Sequence, residues 1–179
     1  MTSPRTIRRT SVGIGTLLLA VGALSGCSPE PEPTPTATAA FASEEDAFAA
    51  AEEVYRAYTD AVNMERKSDS TADSSSYLVG SALDGSLDTA NRLHAAGWRI
   101  IGDSQVMSFT GEAAELGAND VIIRAQVCLD VSATAVVDTS GADITPADRA
   151  VLVPLDVAFV ESGSGLVISE SNLNENSPC

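Results

Sequence analysis

The chain has 179 residues, with 25 acidic and ten basic side chains and a formal charge of −15. A surface so acidic repels phosphate backbones, whose binding rests on Lys and Arg contacts, and this excludes nucleic acid as a partner. It also excludes direct adhesion of the protein surface to anionic lipid, while the length suits one domain with a real core and no metal staples.

In chain order, Arg5, Arg8 and Arg9 come first, followed by an apolar run from Val12 to Leu24. This is the layout of a secretory signal peptide. The run has 13 residues, short of the roughly 20 that a membrane-spanning helix needs. Its ending, Leu24-Ser25-Gly26-Cys27, resembles the lipobox of bacterial lipoproteins. The resemblance implies that residues 1–26 are removed and that the Cys27 thiol is lipidated. The mature chain would then be anchored by lipid at the extracytoplasmic face of the cell membrane. Each buried methylene contributes about 0.8 kcal/mol, so one acyl chain holds weakly and two or more hold stably. Plain secretion after Gly26 is the rival. The mature chain keeps seven basic against 25 acidic side chains. Solubility accounts for that excess, with a cationic ligand or basic partner as the alternative.

Residues 27–42 form a spacer. Ser28 to Ala40 is rich in Pro, Thr and Ala, and alternate prolines favour extended polyproline geometry. A single domain follows over 43–179. Ser43 is a good N-cap with Asp46 three residues on, and Glu44, Glu45 and Asp46 suit the positive end of a helix dipole. Phe48, Ala51, Tyr55, Tyr58 and Val62 make one apolar stripe at helical spacing, ending near Asn63 to Arg66. Ser68 to Ser76 reads as a loop. Leu83, Leu87, Ala90 and His94 predict a second apolar stripe. Gly80 and Gly85 predict that this helix is broken or split, and Gly97 stops it.

From Trp98 the period changes to two. Arg99 to Phe109 contains a predicted strand, bulged near Gly102. Val121, Ile123, Ala125, Val127, Leu129 and Val131 predict a half-buried strand, with Arg124, Gln126, Cys128 and Asp130 on its outer, solvated face. In the alternative, Arg124 and Asp130 point into a cavity. Asp138 to Asp143 is a turn. Its acids are too few and wrongly spaced for calcium. Val151 to Phe159 is another strand, with Pro154 predicting an edge position or a bulge. Ser162 to Gly165 turns into a last strand, Leu166 to Leu173.

With Cys27 lipidated, Cys128 and Cys179 are the pair left in an oxidising compartment. Their disulfide would close a loop of about 50 residues and contribute about 4 kcal/mol in the chain-entropy model. Two free thiols or a metal site are the rivals, and no second His or Cys lies nearby in sequence.

Helices first and antiparallel strands last predict an α+β domain, its helices packed on one face of a curved sheet. The run Ala51 to Asn63 resembles the first helix of nuclear-transport-factor-2-like cone proteins. Val127 to Ser132, with Val136-Val137-Asp138 and a glycine turn, is similar to a central hairpin of that fold. The run is also similar to the version of that fold found in small lipoproteins of high-GC Gram-positive bacteria. The resemblance implies a strongly curved antiparallel sheet around a long helix, often with a pocket at its open end. The family holds cyclases and isomerases as well as non-catalytic binding domains, so membership leaves activity open.

The candidate pocket residues are Tyr55, Tyr58, His94 and Trp98, which combine apolar area with polar tips. Packing in the core is the competing role for each. No catalytic set, metal site or cofactor motif is assigned. The expected function is a membrane-anchored, non-catalytic binding or accessory protein for an envelope protein or a small apolar ligand. The alternatives are a small cyclase- or isomerase-like enzyme using His94 or a buried carboxylate, and a homodimeric assembly module.

Overall fold

The computed structural model describes residues 41–67, 71–117, 120–163, 165–177 and 179. The leader, Cys27 and the spacer up to residue 40 lie outside the described residues. Among the described residues no helix is long and apolar enough to cross a membrane.

Among the described residues two helices, α1 (Glu44–Glu65) and α2 (Gly80–Ala96), flank a short 3₁₀ turn, Ser74–Tyr77. Six strands follow: β1 (Arg99–Ile101), β2 (Gln105–Leu116), β3 (Val121–Asp130), β4 (Ala135–Val137), β5 (Leu152–Ser162) and β6 (Gly165–Leu173). They form an antiparallel four-stranded sheet in the order β2-β3-β5-β6 and a two-stranded sheet, β1-β4. The α+β order read from the sequence is the order observed.

The start of α1 follows from local chemistry. The Asp46 N–H donates to Ser43 Oγ at 3.1 Å, which satisfies one of the orphan donors of the first turn. Ala47, Ala51 and Tyr55 are buried, and Phe48, Tyr58 and Val62 flank them half-buried. Phe41 also packs on the core. The Phe48 ring lies over Gly111 of β2. A Cβ there would come within 2.3 Å of the ring, so the bare backbone is what lets α1 approach.

On β3, Val121, Ile123, Ala125 and Val127 are buried on the helix side and meet Val157, Phe159 and Ile168 in one cluster with Ala47, Ala51 and Tyr55. Tyr55 stands edge-on to Phe159, centroids 6.4 Å apart, and Phe159 also meets Phe109 at 6.1 Å. Register shifts leave Met107 and Glu112 without partners on β3; such bulges bend a strand and increase its twist.

The other face of β3 is outer, as expected. Arg124 is exposed there, and the chain end covers Gln126 and Cys128. Cys128 and Cys179 are disulfide-bonded with Cα atoms 5.3 Å apart, and Ser177 Oγ donates to Gln126 Oε1 at 2.8 Å. The alternative with Arg124 and Asp130 in a cavity as a pair is not observed. The Asp138 turn is held by its own carboxylate, which accepts from Ser140 Oγ at 2.6 Å, Ser140 N at 2.8 Å and Ala142 N at 3.0 Å. The predicted last hairpin is present, closed by the pair Ser162 and Gly165.

Four expectations are corrected. Arg99 to Phe109 is two strands in two sheets rather than one. Gly102 takes φ +81°, and a Cβ there would lie 2.0 Å from the Ala133 carbonyl oxygen, so only glycine lets the chain pass this close to the β3–β4 connection at the break. Second, α2 is continuous. Gly80 opens it, and Gly85 sits in its middle at the roughly 1 kcal/mol cost of a helical glycine. Third, the α2 stripe does not act as one face: Leu83 packs against the core, while Leu87, Ala90 and His94 are exposed. Fourth, β5 is an inner strand despite Pro154. Pro154 pairs with Cys128, while pairing to β6 stops at Leu155. The Asn174 N–H then reaches the Pro154 carbonyl at 3.0 Å. The missing proline donor therefore falls where the β6 side of the ladder has ended.

Candidate functional site

A cleft of about 800 Å³ opens between α1 and α2. α1 contributes Tyr58, Val62, Glu65 and Arg66, at spacings of three and four that put them on one face. α2 contributes Ala82, Gly85, Ser86, Thr89, Ala90 and Leu93, again one helical face. Small side chains explain the space: nothing lies within 4 Å of a Cβ built on Gly85. The end of the cleft is set by the C-terminus of α2. The Gly97 N–H donates to the His94 carbonyl at 3.0 Å and the Trp98 N–H to the Leu93 carbonyl at 2.8 Å, a Schellman closure. That closure fixes His94, Trp98, Arg99 and Ile100 on the cleft wall, and Ser171 of β6 joins them.

Of the four predicted pocket residues, Tyr58, His94 and Trp98 line this one cleft. His94 is exposed, and Trp98 is 48% exposed. Tyr55 is the exception. It is 1% exposed and belongs to the core, because its helix position points at Phe159 rather than at α2.

The polar wall is organised around Arg66. One guanidinium nitrogen donates to the Gly102 carbonyl at 3.2 Å and, at 3.4 Å, to Asn63 Oδ1 and Ser104 Oγ. Burial lowers the Arg66 pKa from its ordinary value, opposed by nearby Tyr58, Asp103 and Glu65. Burial likewise raises the Tyr58 pKa, opposed by the Arg66 charge. Neighbouring carboxylates are already engaged. Glu65 accepts from the Ser74 N–H and from Ser74 Oγ, the latter at 2.8 Å, and Asp103 pairs with Lys67 at 3.3 Å.

Arg66, Ser171 and the small face of α2 escaped the sequence reading. The α2 signal was present: Ala82, Gly85, Ser86, Thr89 and Ala90 recur at helical spacing. It reads as a helix break until a facing helix is known. Among the described residues, no three of His, Cys, Asp and Glu come together as a metal site.

No protein-family model matches the chain, and no curated protein matches it. Among solved structures, the chain is similar to the intermembrane space region of the chloroplast protein ARC6. The TM-score is 0.49 at 14% identity, over 70% of this chain and 95% of that one.

Proposed function

We propose that this chain is a lipid-anchored extracytoplasmic protein whose nuclear-transport-factor-2-like domain binds a small apolar molecule, without catalysis, in the cleft between α1 and α2. The observation that carries the reading is the cleft itself, about 800 Å³ with a half-exposed indole at its rim. Small-molecule sites span about 300–1,000 Å³ and combine apolar walls with a few polar groups. Val62, Leu93, Trp98 and Ile100 supply apolar surface, and Tyr58, His94 and Arg66 supply polar tips. A cleft of this size suits a small ligand better than a flat protein interface does. The long α1 laid on the sheet and the two bulges of β2 support the cone reading. The Leu-Ser-Gly-Cys ending at Cys27 supports the anchor.

The full chain, extracted from membranes and examined by native mass spectrometry, tests this. The expected result is acylated Cys27 together with a small-molecule adduct on the folded domain. Trp98→Ala should lose most of the adduct while keeping its circular dichroism spectrum. A wild-type protein without an adduct, or a folded variant that retains it fully, would overturn the binding role; an unmodified Cys27 would overturn the anchor.

A further inference from the structure

The cleft carries a charge opposite to that of the rest of the molecule. Residues 41–179 hold seven basic against 23 acidic side chains. Three of those seven, Arg66, Arg92 and Arg99, line this one cleft, and Glu65 is the only carboxylate among its described lining residues. Glu65 is bound to Ser74. Arg92 is exposed and paired with Asp88 at 2.8 Å, so it contributes little. Arg66 and Arg99 are different. Neither makes an ion pair with a carboxylate among the described residues, and the Arg99 side chain makes no hydrogen bond to them.

Arg66 decides the sign. A partly buried cation is costly unless an anion or several acceptors compensate it. Here the three acceptors are neutral and meet a single nitrogen, so most of the planar donor fork remains for a carboxylate or phosphate. The apolar wall of Val62, Leu93 and Ile100 lies beside it, with Trp98 at the rim.

We infer that the cleft takes a single-chain lipid with an anionic head, carboxylate or phosphate, the head on Arg66 and Arg99 and the chain along Val62, Leu93 and Trp98. The inference deepens the binding reading above and rests on it. It also reverses the class of ligand that net charge alone would favour, a cation.

Trp98 is the only tryptophan of the chain, so its fluorescence reports on the site directly. Full-length protein is titrated at neutral pH, below micelle formation, with dodecanoate, dodecyl phosphate, dodecanol and dodecyltrimethylammonium. The expected result is saturable binding of at least one anion, tenfold or more tighter than the alcohol and the cation. The better of the two anions identifies the head group. Arg66→Gln should weaken the anion about tenfold and leave the alcohol unchanged. Arg99→Gln, at a side chain without structural bonds, should weaken it several-fold in a protein that folds as the wild type does. Equal binding of alcohol and anion, or tighter binding of the cation, overturns the inference and leaves the apolar cleft standing. Arginine variants that bind the anion like the wild type overturn it too. Failure of all four probes removes the inference and the binding role together.

Discussion

Asn63 joins the end of α1 to the segment where the chain breaks between β1 and β2. Its Nδ2 donates to the Ser104 carbonyl at 2.8 Å, and its Oδ1 accepts from Ser104 N at 2.9 Å and Ser104 Oγ at 3.2 Å. Both residues are buried, so truncation leaves a peptide N–H and C=O without water or partner. Each such group costs about 1–3 kcal/mol. Asn63→Ala should therefore lower unfolding stability by about 3 kcal/mol, read as a lower urea midpoint at unchanged slope. A loss under about 1 kcal/mol would mean that water replaces the carboxamide. Arg149 plays a similar part, with its guanidinium donating to Thr134 Oγ1 at 2.7 Å and to the Thr134 and Val131 carbonyls at 2.9 and 3.0 Å. Neither residue was legible in the sequence. Asn63 and Ser104 stand 41 positions apart, and no local period marks a polar group whose partner is brought to it by the fold. The Ser43 cap was legible because its partner is three residues away. Trp98 was legible as a pocket candidate because an aromatic side chain combines apolar area with a polar tip. Arg66 was not, since an arginine in the last turn of a helix normally points to solvent.

At the scale of elements, periodicity reports what an element is and leaves open what it meets. The alternation of β3 identified both a strand and its buried side, because Val121, Ile123, Ala125 and Val127 have no polar interruption. The same reasoning gave α2 its helical character and an apolar stripe, of which Leu83 alone packs on the core. Leu87 faces solvent since α2 packs mainly against β6, and its small face looks across the cleft toward α1. Arg99 to Phe109 shows a second gap: alternation runs through Gly102, and the close approach of the Ala133 backbone at its positive φ involves a segment distant in sequence. The chain end is held differently. Cys128 and Cys179 are separated by 51 positions, so their bond removes about 4 kcal/mol of unfolded-state freedom. Cys179→Ser should lower stability by roughly 2–4 kcal/mol and expose the outer face of β3. Calorimetry checks the first effect, and faster amide exchange at Gln126 and Cys128 checks the second. An unchanged midpoint would mean that the unfolded chain is already constrained there.

For the whole molecule, the sign of charge makes alkali the harsher extreme. The chain is at −15 at neutral pH, and every proton lost above that adds to self-repulsion. Tyr55 sharpens the limit. Burial in the core raises its hydroxyl pKa well above the ordinary tyrosine value of 10, with the nearby Tyr58 adding to the shift. In the unfolded chain the same group ionises near 10, so above that pH the unfolded state holds fewer protons than the native one. Linkage then requires stability to fall as pH rises. The contribution of Tyr55 is complete below pH 10 and declines from there toward its native pKa, at about 1.4 kcal/mol per pH unit. Tyr58, raised in the same direction, adds to the decline. Urea midpoints at pH 8 and 11 measure the combined loss. Tyr55→Phe keeps the buried ring and removes one group that ionises in the unfolded state. Its loss between the two pH values should be about 1.4 kcal/mol smaller than that of the wild type. If both proteins lose the same amount, self-repulsion of the acidic surface sets the alkaline limit and the buried hydroxyl does not.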